Sequence, residues 1–489
     1  MKSFGILAVG CLAASLATYT TDAAAQTRAW GTFFGGMKEE IGHKVAVDAA
    51  GNVYVVGKTH SGDGIATPDG FDPFFNNPAE GYLAKFDSDG ALIWSTYYGD
   101  GPGTELVDVG LDQNGNVYVV GTTKCPSEGL ANTFDKSCDG PSDMVLAKFS
   151  PGGALQWNTY FGGDSTDGAT AISVTPAGNV YLIGSTISSM GLVPPSSVDA
   201  THGGGWDGVV AKFGTQGNLL WARYYGGESI DLATDIACRP AMAEDICFIT
   251  GQTSSTGGIA TKNGHDIDFG GEFDAFLARI SGTIGKTVWG SYYGGSDMED
   301  QTSVAIDQNF DAVLGGVTLS DAFAATPDAE DVDLNGGADL FLARFDAGGS
   351  RKTGRYLGTI HVEQTLLDVG LDAESNVYVF SEANSANWTG MVTPGAYDTL
   401  YGGGQNDLVL TKLDADLHKL WGTLYGGNGA ELGTSDFGSA RPGGGIALDA
   451  QNHIYVTGPS NSTDEALSSP GSHKPMSQEI DAFVAEFVQ

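Results

Sequence analysis

The chain has 489 residues, 23 Lys and Arg against 60 Asp and Glu, and a formal net charge of −37 at pH 7. This charge excludes nucleic acid as a partner, because a phosphate backbone selects for positive charge. It favours solubility, and among ligands it favours cations and basic groups over polyanions.

The first 25 residues have the character of a secretory signal peptide. Lys2 precedes an apolar stretch that ends at Ala17, and three small residues end at Ala25, which is the order of segments found in such peptides. We therefore divide the chain into a signal peptide over 1–25 and a mature domain over 26–489. No later stretch has the roughly 20 consecutive apolar residues of a transmembrane segment.

After this segment a unit of about 65 residues repeats seven times. Its clearest mark is an aromatic motif whose copies begin at Trp30 (WGTFFGG), Trp94 (WSTYYGD), Trp157 (WNTYFGG), Trp221 (WARYYGG), Trp289 (WGSYYGG), Gly354 (a degenerate GRYLGT) and Trp421 (WGTLYGG). Two further marks recur in each unit, exemplified by VAVDAAGNVYVVGKT from Val45 and DGVVAKFG from Asp207. A fixed internal period of this kind indicates a repeat architecture.

Each unit contains four short runs rich in β-branched and aromatic residues, separated by Gly, Asp and Asn, and this pattern is typical of strands. We name them strands a to d; in the first unit they begin at Val45, Asn52, Tyr82 and Ala91. Seven such units predict an all-β fold, a seven-bladed β-propeller with four antiparallel strands per blade.

The two ends of the repeat array predict how the ring closes. The array begins with a d-type strand, Trp30 to Phe34, and ends with a c-type strand from Asp481. We expect the N-terminal strand to join the last blade, with strand a innermost in every blade and strand d outermost.

The combination of WxTYYGG, Asp-x-x-Gly-Asn-x-Tyr and Asp-x-Phe-Leu-Ala-Lys-Phe-Asp resembles the bacterial β-propeller repeat family called SBBP, over essentially the whole mature chain. The resemblance implies the propeller fold and an extracytoplasmic setting. It implies no particular activity.

The four cysteines of the mature chain form two local pairs, Cys125 with Cys138 and Cys238 with Cys247. An even number of cysteines in an exported chain favours disulfides. The second pair flanks an atypical turn between strands a and b of the fourth blade, so a bridge is expected there.

One acid follows each aromatic motif by nine to eleven residues; these acids are Glu40, Glu105, Asp167, Asp231, Glu299, Glu363 and Glu431. Each lies in the connection from strand d to the next strand a, so we expect seven acids around one mouth of the channel. Two interpretations remain open: the carboxylates accept backbone N–H groups, or they bind a metal, with Ca²⁺ as the implied cofactor.

The loops from strand b to strand c differ in every blade and are expected on the same face. Four of their aromatic residues are candidate ligand-binding residues: Phe74, Trp206, Trp388 and Tyr401. Loops on a rigid scaffold commonly carry binding sites; the alternative is that these rings pack against their own blades.

The sequence thus predicts an exported binding or adhesion scaffold, secreted, periplasmic or at the bacterial cell surface. We expect a monomer with a glycan or protein ligand at the loop face. The competing function is an extracellular hydrolase or lyase acting on polysaccharide or peptide. The eight histidines are scattered and lack a companion nucleophile motif, so no catalytic residue is assigned.

Overall fold

The computed structural model describes residues 26–99, 103–125, 134–321, 323–327, 329, 332–334, 337–358, 364–383, 391–431, 443–464, 466–474, 476–477 and 479–489. The predicted signal peptide, Glu363 and Trp388 lie outside these residues.

Within these ranges the chain forms strands and turns, and no helix that could cross a membrane. In chain order the strands are β1 (Thr27–Phe34), β2 (Glu40–Val47), β3 (Val53–Thr59), β4 (Glu80–Phe86), β5 (Leu92–Tyr98), β6 (Thr104–Leu111), β7 (Val117–Lys124), β8 (Ser142–Phe149), β9 (Leu155–Phe161), β10 (Asp167–Val174), β11 (Val180–Thr186), β12 (Asp207–Phe213), β13 (Leu219–Tyr225), β14 (Asp231–Arg239), β15 (Ile246–Thr253), β16 (Asp274–Ser281), β17 (Thr287–Tyr293), β18 (Glu299–Ile306), β19 (Ala312–Thr318), β20 (Asp339–Phe345), β21 (Arg351–Leu357), β22 (Gln364–Leu371), β23 (Val377–Ala383), β24 (Asp407–Leu413), β25 (Lys419–Tyr425), β26 (Gly445–Leu448), β27 (Ile454–Ser460) and β28 (Asp481–Val488).

These strands form seven four-stranded antiparallel sheets, which are the seven blades predicted from the sequence. Blade 1 consists of β2 to β5, and blades 2 to 6 follow in steps of four strands. Blade 7 combines β26, β27 and β28 with β1. In this sheet Phe33 of β1 pairs with Phe483 of β28, so the N-terminal strand closes the ring as predicted.

The turn between strands a and b follows from its Asp-x-x-Gly-Asn sequence. In blade 1, Asp48 Oδ1 accepts hydrogen bonds from the backbone N–H groups of Ala50 (2.9 Å) and Asn52 (3.0 Å). Gly51 has φ of 79°, a left-handed conformation that glycine adopts at little cost. In blade 5, Phe310 takes this position with φ of 63°.

The repeated Trp links each blade to the next one. Trp30 Nε1 donates to the carbonyl of Ser88 (2.9 Å) in the turn between strands c and d of blade 1. A Cβ on Gly90 of that turn would lie 2.5 Å from the indole ring, so only glycine fits beneath it. In blade 5 the residue in register with Trp is Thr353, which pairs with Arg344. The predicted replacement for Trp, Gly354, is therefore one residue too late.

Strands a contact one another around the ring and therefore line the channel. Three aspartates on them join neighbouring blades by accepting a backbone N–H from the next strand a: Asp108 from Ile172 (2.8 Å), Asp235 from Val304 (2.9 Å) and Asp368 from Ile446 (3.0 Å). Lys44 Nζ lies 2.6 Å from Asp368 Oδ2, which adds an ion pair between the strands a of blades 1 and 6.

Two disulfides confirm the pairing predicted from cysteine spacing. Cys238 and Cys247 face each other across β14 and β15, where the bridge closes the atypical turn. Cys125 and Cys138 are joined within the b–c loop of blade 2.

Candidate functional site

Five of the predicted acids are completely buried: Glu40, Asp167, Asp231, Glu299 and Glu431. The first four begin strand a of their blades, and Glu431 precedes β26. Glu40 illustrates the arrangement. Its carboxylate accepts hydrogen bonds from Thr59 Oγ1 (2.7 Å) and from the Gly36 N–H (2.8 Å). Similar Ser, Thr and glycine donors surround the other four carboxylates. These contacts stabilise the crossing between blades.

A second acid, at the start of strand c, lies beside each of these carboxylates. Burial, opposed by hydrogen bonds and reinforced by the nearby Asp481 charge, raises the pKa of Glu40 to about 7. Burial is also the main cause that raises the pKa of Glu431 to about 7 and that of its neighbour Asp407 to about 6. Each of these pairs of buried acids therefore lies between two neighbouring blades, and the metal-binding role of the first acid stays a prediction.

Blade 2 departs from this pattern by one residue. Thr104 pairs with Thr123, exactly as Glu40 pairs with Thr59 in blade 1, and the two threonine hydroxyls are 2.9 Å apart. Glu105 is the next residue, so its side chain points to the opposite face of the sheet. Grouping Glu105 with the other acids therefore does not hold in the structure.

Glu105 instead lies at the base of a cavity of about 700 Å³. Its Oε1 is 2.6 Å from His43 Nε2, and both side chains are buried. The cavity opens where strands a begin, at one mouth of the channel. Its apolar walls come from blades 2, 3 and 4: Val107, Ala169, Trp206, Ile230, Leu232 and Phe273.

Backbone hydrogen bonds hold the two aromatic wall residues in place. The carbonyl of Trp206 accepts the N–H of Asp231 (2.7 Å), and the carbonyl of Phe273 accepts the N–H of Glu299 (2.9 Å). Both rings are half-buried, so each combines a fixed backbone with an accessible face. Such preformed apolar surfaces with few polar groups are typical of ligand sites.

Of the residues predicted from sequence, the cavity brings together Trp206, Glu105 and Asp167. Phe74 does not line it and is 69% exposed on the b–c loop of blade 1. Tyr401 also lies outside the lining and donates its hydroxyl to the carbonyl of Gly404 (3.1 Å).

Five apolar wall residues were missed by sequence reasoning: Val107, Ala169, Ile230, Leu232 and Phe273. A local signal existed for one of them. Phe273 directly precedes the aspartate that begins strand c, as Trp206 does in the preceding blade. An aromatic residue at this position in two successive blades could have predicted a shared surface.

The cavity also has charged residues in its lining. Asp167 lines it, but its two carboxylate oxygens accept hydrogen bonds from Thr186, Ser188 and the Gly163 N–H. Glu105 also lines the cavity, and its carboxylate is paired with the imidazole of His43, which lies outside the lining. Lys124 stands exposed at the rim.

The family model for SBBP, the beta-propeller repeat, matches residues 40–65 and 93–124. The chain therefore carries this repeat, and the resemblance drawn from its motifs is confirmed. It is also similar to the Regulatory protein FlaEY of Caulobacter vibrioides, at 24% identity over 365 residues that cover 71% of this chain. These residues cover 36% of that protein, so the chain spans about a third of the length of this curated relative.

Several solved structures resemble the chain in fold. A protein of unknown function from Dyadobacter fermentans shares 10% identity over 95% of this chain and 100% of its own, with a TM-score of 0.42. A PL25 ulvan lyase bound to -[GlcA(1-4)Rha3S]- shares 9% identity over 93% and 96%, with a TM-score of 0.44. YCF48 bound to D1 peptide shares 10% identity over 96% and 99%, with a TM-score of 0.41. At these identities the likeness concerns the fold alone.

Proposed function

We propose that this SBBP-repeat propeller is an exported binding protein that holds a protein ligand in the cavity at the channel mouth. The observation that carries this proposal is the cavity itself, where apolar side chains from three blades lie together with the buried Glu105 carboxylate, which pairs with His43 behind it. The competing ligand class is a glycan.

The lining favours a ligand that inserts an apolar side chain. Trp206, Phe273 and Leu232 offer aromatic and aliphatic surface that remains partly exposed. Covering such surface contributes about 25 cal/mol per Å², and aromatic anchors dominate many interfaces between proteins. A glycan would leave much of this aliphatic wall in contact with hydroxyl groups.

The polar groups suit recognition of a peptide. Glu105 contributes a negative charge to the lining, and a carboxylate favours hydrogen-bond donors and basic groups on the ligand. The strongly acidic chain also favours a ligand with basic groups around the inserted side chain.

Export belongs to the proposal. Two disulfides within the described residues support an oxidising compartment, and the N-terminal 25 residues have the composition of a signal peptide. The periplasm, the cell surface and the external medium would each allow these disulfides to form.

The experiment is a peptide and glycan array probed with the purified protein, followed by titration of the selected ligand. We expect Trp206→Ala to weaken its affinity at least tenfold, about 1.4 kcal/mol, because the substitution removes part of the cavity wall. Phe74→Ala is the matched control, an exposed aromatic outside the cavity, and should change the affinity less than twofold.

Equal affinities for Trp206→Ala and the unmodified protein would contradict the proposed site. Selection of glycans alone would contradict the ligand class. Chemical turnover of the selected ligand, detected by mass spectrometry, would favour the competing hydrolase or lyase.

A further inference from the structure

Six of the seven blades have a cation at one repeated position near the end of strand c, where the residue pairs with strand b. These cations are Lys85, Lys148, Lys212, Arg279, Arg344 and Lys412. In blade 7 the residue at this position is Glu486, which pairs with Tyr455. The blade that closes the ring therefore has the opposite charge at this position.

The strand-c cation connects its blade to the next one. Lys85 Nζ lies 4.9 Å from the ring centroid of Tyr54 and donates to the carbonyl of Pro151 (3.3 Å) in blade 2. Lys212 of blade 3 donates in the same way to the carbonyl of Gly282 (2.9 Å) in blade 4. An ionised glutamate accepts hydrogen bonds and donates none, so Glu486 cannot make this contact between blade 7 and blade 1.

A histidine stands beside the acid in blade 7. His453 occupies the turn position that Asn52 has in blade 1. Its Nδ1 lies 3.2 Å from Asp449 Oδ2 and 2.9 Å from Glu486 Oε1. Asn52 makes one neutral contact at this position, to Asp48 Oδ2 (2.8 Å). The imidazole can therefore supply the positive charge that strand c supplies in the other blades, provided that it is protonated.

The two carboxylates on this imidazole share a poorly solvated site. Glu486 is 6% exposed, and the Tyr455 hydroxyl donates to its Oε1 (3.0 Å). Burial is the largest cause that raises the pKa of Glu486, and the charge of Asp449 raises it further. The hydrogen bond from Tyr455 and the charge of His453 oppose this rise. Loss of the imidazole proton thus leaves two neighbouring acids that repel each other.

Charged groups on the elements next to this cluster have partners of their own. Glu374 of blade 6 accepts a hydrogen bond from Asn452 Nδ2 (3.1 Å). Asp48, on the turn of blade 1 that faces the cluster, bonds to N–H groups of its own turn. Arg28 of β1 donates to the carbonyl of Ser468 (2.7 Å). The charge balance inside the cluster therefore depends on the imidazole.

The cluster contacts the strand that closes the ring. Trp30 of β1 pairs with Glu486 of β28. The equivalent pair in blade 1 is Trp94 of β5 with Lys85 of β4. A change in the charge balance around Glu486 therefore acts directly on the pairing of the N-terminal strand.

We propose that His453 is a pH-sensitive switch that controls how firmly the N-terminal strand closes the ring. With the imidazole protonated, the charges of Asp449 and Glu486 are balanced and β1 is held against β28. With the imidazole neutral, the two acids repel and the segment of β1 around Trp30 loosens. Histidine changes its charge between about pH 5 and 8, so closure is firmest at the acidic end of this range. The switch is separate from the ligand cavity and does not depend on the proposed function.

The test is hydrogen exchange of the purified protein at about pH 5.5 and about pH 8, with rates corrected for the intrinsic effect of pH. Between these values, protection of the β1 segment around Trp30 should fall about tenfold more than protection of β5. Strand β5 is the matched reference, because its Trp94 pairs with a lysine, and lysine keeps its charge over this range.

A double variant provides the control within the cluster. His453→Asn combined with Glu486→Lys reproduces the side chains of blade 1, so the additional loss of protection in β1 should disappear. Glu40, which bonds to the chain just after the other end of β1, is unchanged, so the comparison reports the cluster alone. His418→Asn removes a histidine that lies 3.2 Å from Asp414 in blade 6 and should leave the loss of protection as it is.

Equal losses of protection in the unmodified protein and the double variant would overturn the proposal. An equal loss in β1 and β5 would also overturn it, because the change would then concern the whole fold. The His453 imidazole, followed by NMR, should titrate over the pH range in which β1 loosens; titration outside that range would overturn the assignment of the switch to His453.

Discussion

Blades 1 and 2 differ at the residue ten positions after the preceding Trp, and this difference separates an acid bonded inside the blade from an acid that lines the cavity. Blade 1 has Glu40 there, fully buried and bonded to Thr59 and Gly36. Blade 2 has Thr104, and its acid is the following residue, Glu105. Because side chains alternate across a strand, this single step moves the carboxylate from the blade interior to the base of the cavity.

The comparison shows how a repeat protein can acquire a site without changing its scaffold. The threonine pair Thr104–Thr123 preserves a hydrogen bond where the buried acid would be. Glu105 pairs instead with His43 of blade 1. A change at one position of strand a therefore distinguishes blade 2 from blade 1.

The largest expected effect concerns stability at this position. Glu40→Ala leaves Thr59 Oγ1 and the Gly36 N–H buried without an acceptor, and we expect the free energy of unfolding to fall by about 2–4 kcal/mol. Thr104→Ala removes one neutral hydrogen bond and should cost only about 1 kcal/mol. Denaturant unfolding of both variants measures the difference. Equal losses would break the distinction between the two blades.

A smaller effect concerns pH. The pKa of Glu40, beside Asp481, is raised from 4.5 to about 7, so the native protein holds a proton that the unfolded chain releases. The stability that the Glu40 proton contributes is therefore greatest below about pH 4.5 and is lost as the pH rises through about 7. Glu40→Gln should flatten this part of the stability profile.

Thr104→Ala serves as the control for the pH profile, because blade 2 has no titrating group at this position. Its stability should fall by the same amount at every pH between 4.5 and 7. A profile for Glu40→Gln that runs parallel to that of the unmodified protein would contradict the assignment of the proton to Glu40.

Much of the fold could be predicted because the same short sequence motifs recur from blade to blade. The Trp spacing, the Asp-x-x-Gly-Asn turns and the orphan strand at Trp30 predict seven blades and their closure, and cysteine spacing predicts both disulfides. The site was harder. The prediction grouped Glu105 with Glu40 because both follow a Trp at nearly the same distance. A shift of one residue along a strand, however, places the side chain on the opposite face of the sheet.

The cavity itself could not be derived from local sequence. Val107 lies about 100 residues before Trp206 and still farther before Phe273. Only the arrangement of the blades in a ring brings these three side chains to the same mouth of the channel. The pairing of Glu105 with His43 also depends on the contact between blades 1 and 2. Such contacts can be predicted only when the register of the strands and the packing of neighbouring blades are both known.

The most direct test of the central claim is to fill the cavity and measure binding of the ligand selected on the array. Ile230 lines the cavity and is 37% exposed, whereas Leu220 is 50% exposed on an outer strand. Ile230→Cys labelled with a bulky maleimide should lose binding, and Leu220→Cys with the same label should retain it. Full binding by the labelled Ile230→Cys protein would contradict a ligand site at the channel mouth.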